Sequence, residues 1–497
     1  MDINGTPLVE ANIAAIQAAI FTAQVSAEQV VTASLERIDQ LDRHGPSLNA
    51  MVTMNPRARE QAAQLDAAYR STGRPVGPLH GVPMVIKDCL ETVDMPTSFG
   101  SEVFAEYRPA ENATTVAALR AAGAIILGKT TLPDWATSWF SYSSVSGISH
   151  NPYDISRDPG GSSSGTGAAV AAGYATVGLG TDCGGSIRLP SSFCNLVGVR
   201  STPGLISRNG CNPLVGAQDT IGPMARSVQD AARVFSVLAG YDPADPLTYV
   251  YSVARAPGSY LDGLRPDALH GTRIGVLRSA FGSDDDPGSA AVNQVVAGAL
   301  GELKAGGATL ADVTIDDLVG WITRTSMYTI RSRYDIDRFL EGRSGAPMKS
   351  VEEIINSGRY HPKLDLLEAL AAGPADPRND LAYHAAYAAR EEFTKLVVNL
   401  MAHNELDALV YPTCQVVPPT HEETDSGVWN TLNFPTNTVI GSQTWMPATS
   451  VPAGVTAAGL PVGMEVLARP YDEQTMFRIA YGFEQVTGHR VHPAACG

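Results

Sequence analysis

Among 497 residues no apolar run approaches the roughly 18 uninterrupted residues that a membrane-spanning helix needs. The N-terminus, MDINGTPLVEANIAAIQAAI, lacks the basic start and long apolar segment of a secretory signal, so none is expected and the cytoplasm is the expected compartment. Cysteine is sparse and scattered: Cys89, Cys183, Cys194, Cys211, Cys414 and Cys496 form no C-x-x-C pair. Neither a disulfide framework nor a paired-cysteine metal site is expected of such spacing. With no H-E-x-x-H either, no zinc site is expected. Positive charge is short, 35 Lys+Arg against 51 Asp+Glu, for a net charge of −16. Such a surface repels phosphate backbones and anionic lipids, so neither nucleic acid nor membrane is an expected partner. Lysine is scarcest of the charged residues, six against 29 arginines.

What is present is core-forming material. Hydrophobic residues make up 44% and charged residues 17%, enough for a large folded enzyme. Ser26 and Gln29 read as a capping box that opens an amphipathic helix through Val30, Val31, Leu35, Ile38 and Leu41. A second helix is expected from Pro56 to Tyr69. Beyond the Gly/Pro-rich stretch 73–83, short apolar runs alternate with helical segments. Val82–Ile86, Ala124–Leu127, Ala175–Leu179, Arg273–Leu277, Ala408–Tyr411 and Val462–Leu467 read as buried strands. Asn112–Ala122, Ser227–Ala239, Ala290–Ala305 and Leu381–His403 read as helices, and a last helix starts at the N-cap Asp472 and ends near Gly488. Alternation of this kind argues an α/β sheet covered by helices. The expected organisation is an N-terminal helical segment, 1–75, packed on an α/β core, 76–497. The strand-poor stretch 241–372 reads as an insertion or lid, or as surface helices attached to the sheet.

Two motif matches fail on context. Gly123–Thr130 satisfies the phosphate-loop pattern, but Ala, Ile, Ile and Leu stand where flexible residues are needed, so a buried strand ending at Gly128 is the better reading. Gly161–Gly165 satisfies G-x-S-x-G, yet the loop Ser156–Gly160 precedes it where a nucleophile elbow requires a strand. A Ser-His-Asp esterase on Ser163, with His384, His403 or His489, is therefore a lesser alternative. More informative is a pair of small-residue clusters, Gly160-Gly-Ser-Ser-Ser-Gly-Thr-Gly167 and Gly180-Thr-Asp-Cys-Gly-Gly-Ser-Ile-Arg188, with an apolar stretch between them. Glycine and serine at this density let backbone segments approach closely and turn N–H groups toward a ligand. Lys87 ends the apolar run Gly81–Ile86, where burial disfavours its charged form. Lysine can lose its proton there and act as a base; arginine cannot. A salt bridge to Asp88 or another carboxylate is the plainer reading of the same lysine. No S-x-x-K occurs in the chain.

Together these segments resemble the amidase signature family. Its Gly/Ser-rich segment is similar to Gly160–Gly173, its second hallmark to Thr181–Arg188, and its lysine strand to Gly81–Asp88. Further similarity runs through Gly123–Thr130 and Gly459–Met464. The resemblance implies an amidase-signature-like fold, a large mixed β-sheet with helices on both faces. It implies Ser186 as nucleophile, Ser162 as a serine in a cis peptide, and Lys87 as the base. The backbone N–H groups around Cys183, Gly184, Gly185 and Ser186 would form the oxyanion hole, with Asp182, Arg188 and Ser163 supporting the loop. Ser164 departs from the commoner glycine and resembles the peptide amidase branch. Cys183 stands where Thr or Ile is common, and it reads as a small buried hydrophobe rather than a second nucleophile.

The implied chemistry is hydrolysis of a carboxamide, anilide or peptide C-terminal amide through an acyl-enzyme, with ester cleavage as a side activity and no metal or organic cofactor. Trp135, Trp139 and Tyr142 are candidate walls of the substrate pocket, with Phe140 beside them; Trp429, Phe434 and Trp445 are a second set. The expected partner is a small-molecule amide, and a homodimer is compatible with the sequence. Two alternatives to a self-sufficient amidase are a glutaminase-type subunit of a tRNA amidotransferase and a catalytically silent binding protein.

Overall fold

The computed structural model describes residues 1–497 apart from Asn4, Arg255 and Gly497. Among the described residues, eleven strands form one mixed sheet. In chain order they are β1 (Met51–Met54), β2 (Pro83–Lys87), β3 (Ile125–Thr130), β4 (Val177–Asp182), β5 (Val197–Arg200) and β6 (Thr220–Ala225). β7 (Arg273–Leu277), β8 (Thr309–Val313), β9 (Ala408–Pro412), β10 (Ala448–Val455) and β11 (Pro461–Ala468) complete it. The spatial order is β8-β7-β9-β11-β10-β5-β6-β4-β2-β3-β1. β4, β2 and β3 run parallel side by side, as do β8, β7 and β9; the remaining neighbours are antiparallel.

The six strands expected from apolar runs are all in the sheet, and helices cover both faces, the α/β architecture expected. Alternation along β2 and β3 explains why. Val85, Ile125 and Leu127 bury against the helices Ile13–Phe21, Ala27–Ile38 and Ser164–Ala171 on one face. Met84, Ile86 and Ile126 bury against Thr114–Ala121 and Val228–Leu238 on the other. Strands buried on both faces read as continuous apolar runs, which is what made them legible. The capping box is present, with both Ser26 and Gln29 bonds formed. The long helix occupies Leu381–His403 and the last one Glu473–Thr487, capped by Asp472 and by Gly488 in the left-handed region.

Three boundaries differ from expectation. The strand expected to end at Gly128 continues to Thr130, carrying Lys129 into the interior. The segment 1–75 holds the expected helices and also the edge strand β1, paired antiparallel with β3. Within 241–372, β7 and β8 belong to the main sheet, while 318–371 forms four helices outside it. No helix among the described residues is long and apolar enough to cross a membrane.

Adjacent residues at the end of β2 have opposite fates. Asp88 pairs with Lys129 of β3 at 3.0 Å, both fully buried, and accepts from the Ser98 N–H at 3.0 Å. Lys129 also donates to Thr97 Oγ1 at 2.6 Å. The plainer reading of Lys87, a salt bridge to Asp88, is thus overturned: successive side chains leave a strand on opposite faces, and Asp88 serves the other lysine. Removing one member of a buried ion pair strands the other charge. Lys129→Met is expected to destabilise the fold by about 3–5 kcal/mol, measured as a lowered urea midpoint at unchanged slope.

Candidate active site

The site forms where β2 and β4 end and the loops after them meet the N-terminus of the helix Ser164–Ala171. Lys87 is fully buried at the last position of β2. Its Nζ lies 2.7 Å from Ser162 Oγ and 2.9 Å from Thr181 Oγ1, and among the described residues it has no carboxylate partner. Burial pushes its pKa below that of an ordinary lysine; the opposing pull of nearby groups, Asp182 and Asp219 among them, does not outweigh the lost hydration.

Ser162 precedes the helix and is joined to Gly161 by a cis peptide bond. Ser163 stitches this segment to the next one. Its N–H donates to the Ser186 carbonyl at 3.0 Å, and its hydroxyl bonds the backbone of Thr181 at 3.3 Å. The hydroxyl is therefore spent on β4. Among the described residues no histidine bonds this hydroxyl; His384 bonds the Arg378 carbonyl and His489 bonds Glu302. The Ser-His-Asp alternative on Ser163 finds no support in this arrangement.

After β4 the chain turns through Cys183, Gly184, Gly185 and Ser186 into the short helix Arg188–Phe193. Asp182 closes this turn. Its carboxylate accepts from Arg188 Nε and Nη2, each at 3.1 Å, from Arg200 Nη1 at 2.9 Å, and from the Ile187 N–H at 3.2 Å. Desolvation works against the charge, but the two guanidinium groups hold the carboxyl down at about 2. Arg188 also pairs with Glu465 of β11 and donates to Ser442 Oγ at 2.8 Å, tying the turn to the far half of the sheet. Among the described residues, the backbone N–H groups of Cys183, Gly184, Gly185 and Ser186 donate to no acceptor in the chain. Unpaired donors in a buried turn are the arrangement that a developing oxyanion requires. The Cys183 thiol is buried and its pKa is raised, first by desolvation, so it stays protonated.

Two hollows meet at Ser186. The larger, about 520 Å³, reaches Ser162, Thr181 and Cys183 at its floor, and Arg331, Asp335 and Phe339 form part of its wall. The smaller, about 90 Å³, is lined by Trp139, Leu214, Tyr328, Leu366 and Leu432 beside Gly184. Of the aromatic residues expected at the pocket, Trp139 lines this smaller hollow and anchors its indole on the Thr431 carbonyl at 3.0 Å. Trp135 instead stacks on Phe99 in the core, and Tyr142 stacks on His361; neither lines either of these two hollows. Trp429 and Phe434 pack on each other and Trp445 packs on Tyr387, so the stretch 424–447 reaches the hollow through Thr431 and Leu432.

Sequence reasoning missed Thr181, Gln218, Tyr328 and Arg390. Thr181 lies inside the second glycine cluster but was given no role there; the other three sit in segments with no local signal and meet the site only through the fold.

A protein-family model described as Amidase matches residues 29–477. A glutamyl-tRNA(Gln) amidotransferase subunit from Anaeromyxobacter sp. (strain K) is 34% identical over 482 residues, covering 93% of this chain and 94% of that protein. Native peptide amidase from Stenotrophomonas maltophilia superposes with a TM-score of 0.85 at 35% identity, covering 98% of this chain and 99% of that one. An amidase family protein from Bacillus anthracis str. Ames gives a TM-score of 0.84 at 30% identity, covering 98% and 92%.

Gly185 has a φ of +143°, and a Cβ there would lie 1.8 Å from Thr438 Oγ1. Gly185→Ala is expected to cost at least about 1–3 kcal/mol in backbone strain, read as a lowered urea midpoint. Activity should fall further than stability, because the displaced turn carries the unpaired donors.

Proposed function

Because the chain belongs to the amidase family and is an amidase acting on amide C–N bonds, we propose that Ser186 is its nucleophile, with Ser162 and Lys87 relaying the proton. A serine hydroxyl attacks well only if its proton is removed as it does so. Neutral Lys87 accepts the proton of Ser162, which takes that of Ser186, while Ser186 Oγ bonds to the carbonyl carbon. Charge builds on the carbonyl oxygen, where the N–H groups of the Cys183–Ser186 turn stabilise it. Such donors are worth roughly 3–4 kcal/mol each in other enzymes. The C–N bond then breaks as the proton returns through Ser162 to the leaving nitrogen. Water repeats the sequence on the acyl-enzyme, and carboxylic acid is released.

The observation that carries this reading is the isolation of Lys87: buried, without a carboxylate, and 2.7 Å from Ser162. The substrate we propose is a peptide C-terminal amide or a related carboxamide. The small apolar hollow suits a side chain next to the scissile carbonyl, and the larger, more polar hollow suits an extended chain. Similarity to the peptide amidase supports this choice. A second reading, a glutaminase-type subunit, draws support from the amidotransferase relative and would need partner subunits.

Three outcomes are expected. Ser186→Ala should be folded and inactive, with ammonia release from N-acetyl-phenylalaninamide as the assay. The isolated wild-type chain should cleave that amide at least about tenfold more efficiently than free glutamine; the reverse preference, or activity only with added subunits, favours the second reading. Activity should also respond to pH. Lys87 works deprotonated, so kcat/KM should rise with pH through a pKa below the ordinary 10.5 and then level off. A profile flat from mildly acidic to alkaline pH would count against Lys87 as base.

A further inference from the structure

We infer that Gln218, locked in orientation by Arg390, is a positioning residue: it holds the Cys183 carbonyl so that the Gly184 N–H faces the reacting carbonyl. This rests on Ser186 as nucleophile and its turn as the oxyanion site. Gln218 is fully buried just before β6. Its Nε2 donates to the Cys183 carbonyl at 2.5 Å and to the Tyr328 hydroxyl at 3.1 Å, and its Oε1 accepts from Arg390 Nη2. An amide side chain can be turned either way, and only its neighbours decide which. Here both ends agree. A guanidinium can only donate and a carbonyl can only accept, so one orientation alone satisfies Arg390 and Cys183 together.

The consequence lies one atom further along. In a trans peptide the C=O and N–H project in opposite directions. Pinning the Cys183 oxygen therefore fixes the direction of the Gly184 N–H. The preceding peptide is pinned in the same manner: the Asp182 carbonyl accepts from Arg200 Nη1 at 2.7 Å and from Thr220 Oγ1 at 3.3 Å, which sets the Cys183 N–H. Arg200 also donates to the Gln218 carbonyl at 2.7 Å, so the two clamps share a frame.

Arg390 comes from the long helix Leu381–His403, outside the sheet. It is fully buried, donates through Nε to the Thr325 carbonyl at 2.6 Å, and has no carboxylate partner among the described residues. A buried cation without a counter-ion costs stability. Orienting Gln218 is the role its contacts describe.

Phenylmethanesulfonyl fluoride reads the nucleophile and its donors together. Ser186 Oγ bonds to sulfur, the S–F bond breaks, fluoride leaves, and the serine proton passes to Lys87 through Ser162. Wild type should be labelled at Ser186, located by mass spectrometry; no labelling there overturns the nucleophile assignment and this inference with it. Gln218→Glu keeps an acceptor for Arg390 but loses the donor to Cys183, so the fold should be retained. Its maximal inactivation rate should fall about 10²-fold, with the half-saturating concentration within about threefold of wild type. Arg390→Met should fall similarly, and Arg390→Lys, still a donor only, should recover most of the rate. Wild-type rates in Gln218→Glu, with Ser186 labelled normally, overturn the inference and leave the nucleophile standing. Losses in rate and half-saturation that merely follow the urea midpoint overturn it too.

Discussion

The constraint on which the site depends is an amine buried without a charge to answer it. Around Lys87 other buried charges find partners: Lys129 with Asp88, and Arg188 and Arg200 with Asp182. Lys87 is left with two hydroxyls. In low dielectric an amine so placed gains by shedding its proton, and once neutral it has a lone pair for Ser162. In the proposed mechanism the ion pairs nearby belong to the chemistry, because each gives a carboxylate a partner other than Lys87.

A second demand is that four consecutive residues stay open to a ligand without collapsing onto their own neighbours. Asp182 meets it by binding both ends of the turn, its carboxylate reaching forward to the Ile187 N–H while two arginines brace it from outside. Arg188 extends the brace to Glu465 on β11, across the sheet. Preorganisation of this kind lets aligned donors act without rearranging during the reaction. It also explains the wide spread of the site's sequence positions: the loop is local, but what stiffens it comes from residues about 250 positions away, such as Ser442.

Much of this was legible beforehand because it is written locally. Six strands announced themselves as apolar runs buried on both sides, and the glycine clusters and Lys87 stood out by composition. Three of the five strands that escaped notice have physical reasons for doing so. β6, Thr-Ile-Gly-Pro-Met-Ala, contains a proline, which ordinarily demotes a central strand. β10 is bulged between Pro452 and Gly454. β8, Thr-Leu-Ala-Asp-Val, sits at the sheet's edge and is only half buried. Gln218, Tyr328 and Arg390 left no local trace, since a buried polar side chain declares its purpose only through partners brought together by the fold. Trp135 misled for the converse reason: aromatic residues near a site are more often core than pocket, and this one packs among Phe99 and Phe104.

The opposite facing of Lys87 and Asp88 also bears on how the chain finds its register. A parallel strand with apolar residues on both sides has little in its hydrophobic pattern to forbid a slip of one residue. In β2 a slip that moved Asp88 into the place of Lys87 would carry Lys87 to the place of Ile86, opposite Lys129 of β3. The carboxylate would enter the serine-lined compartment, and the lysine would be thrust against Lys129. Two like charges would then share a dry interior while an acid sat among hydroxyls with no cation near. The alternation that separates Lys87 from Asp88 thus also disfavours the mis-registered sheet electrostatically, where its hydrophobic pattern alone would do little.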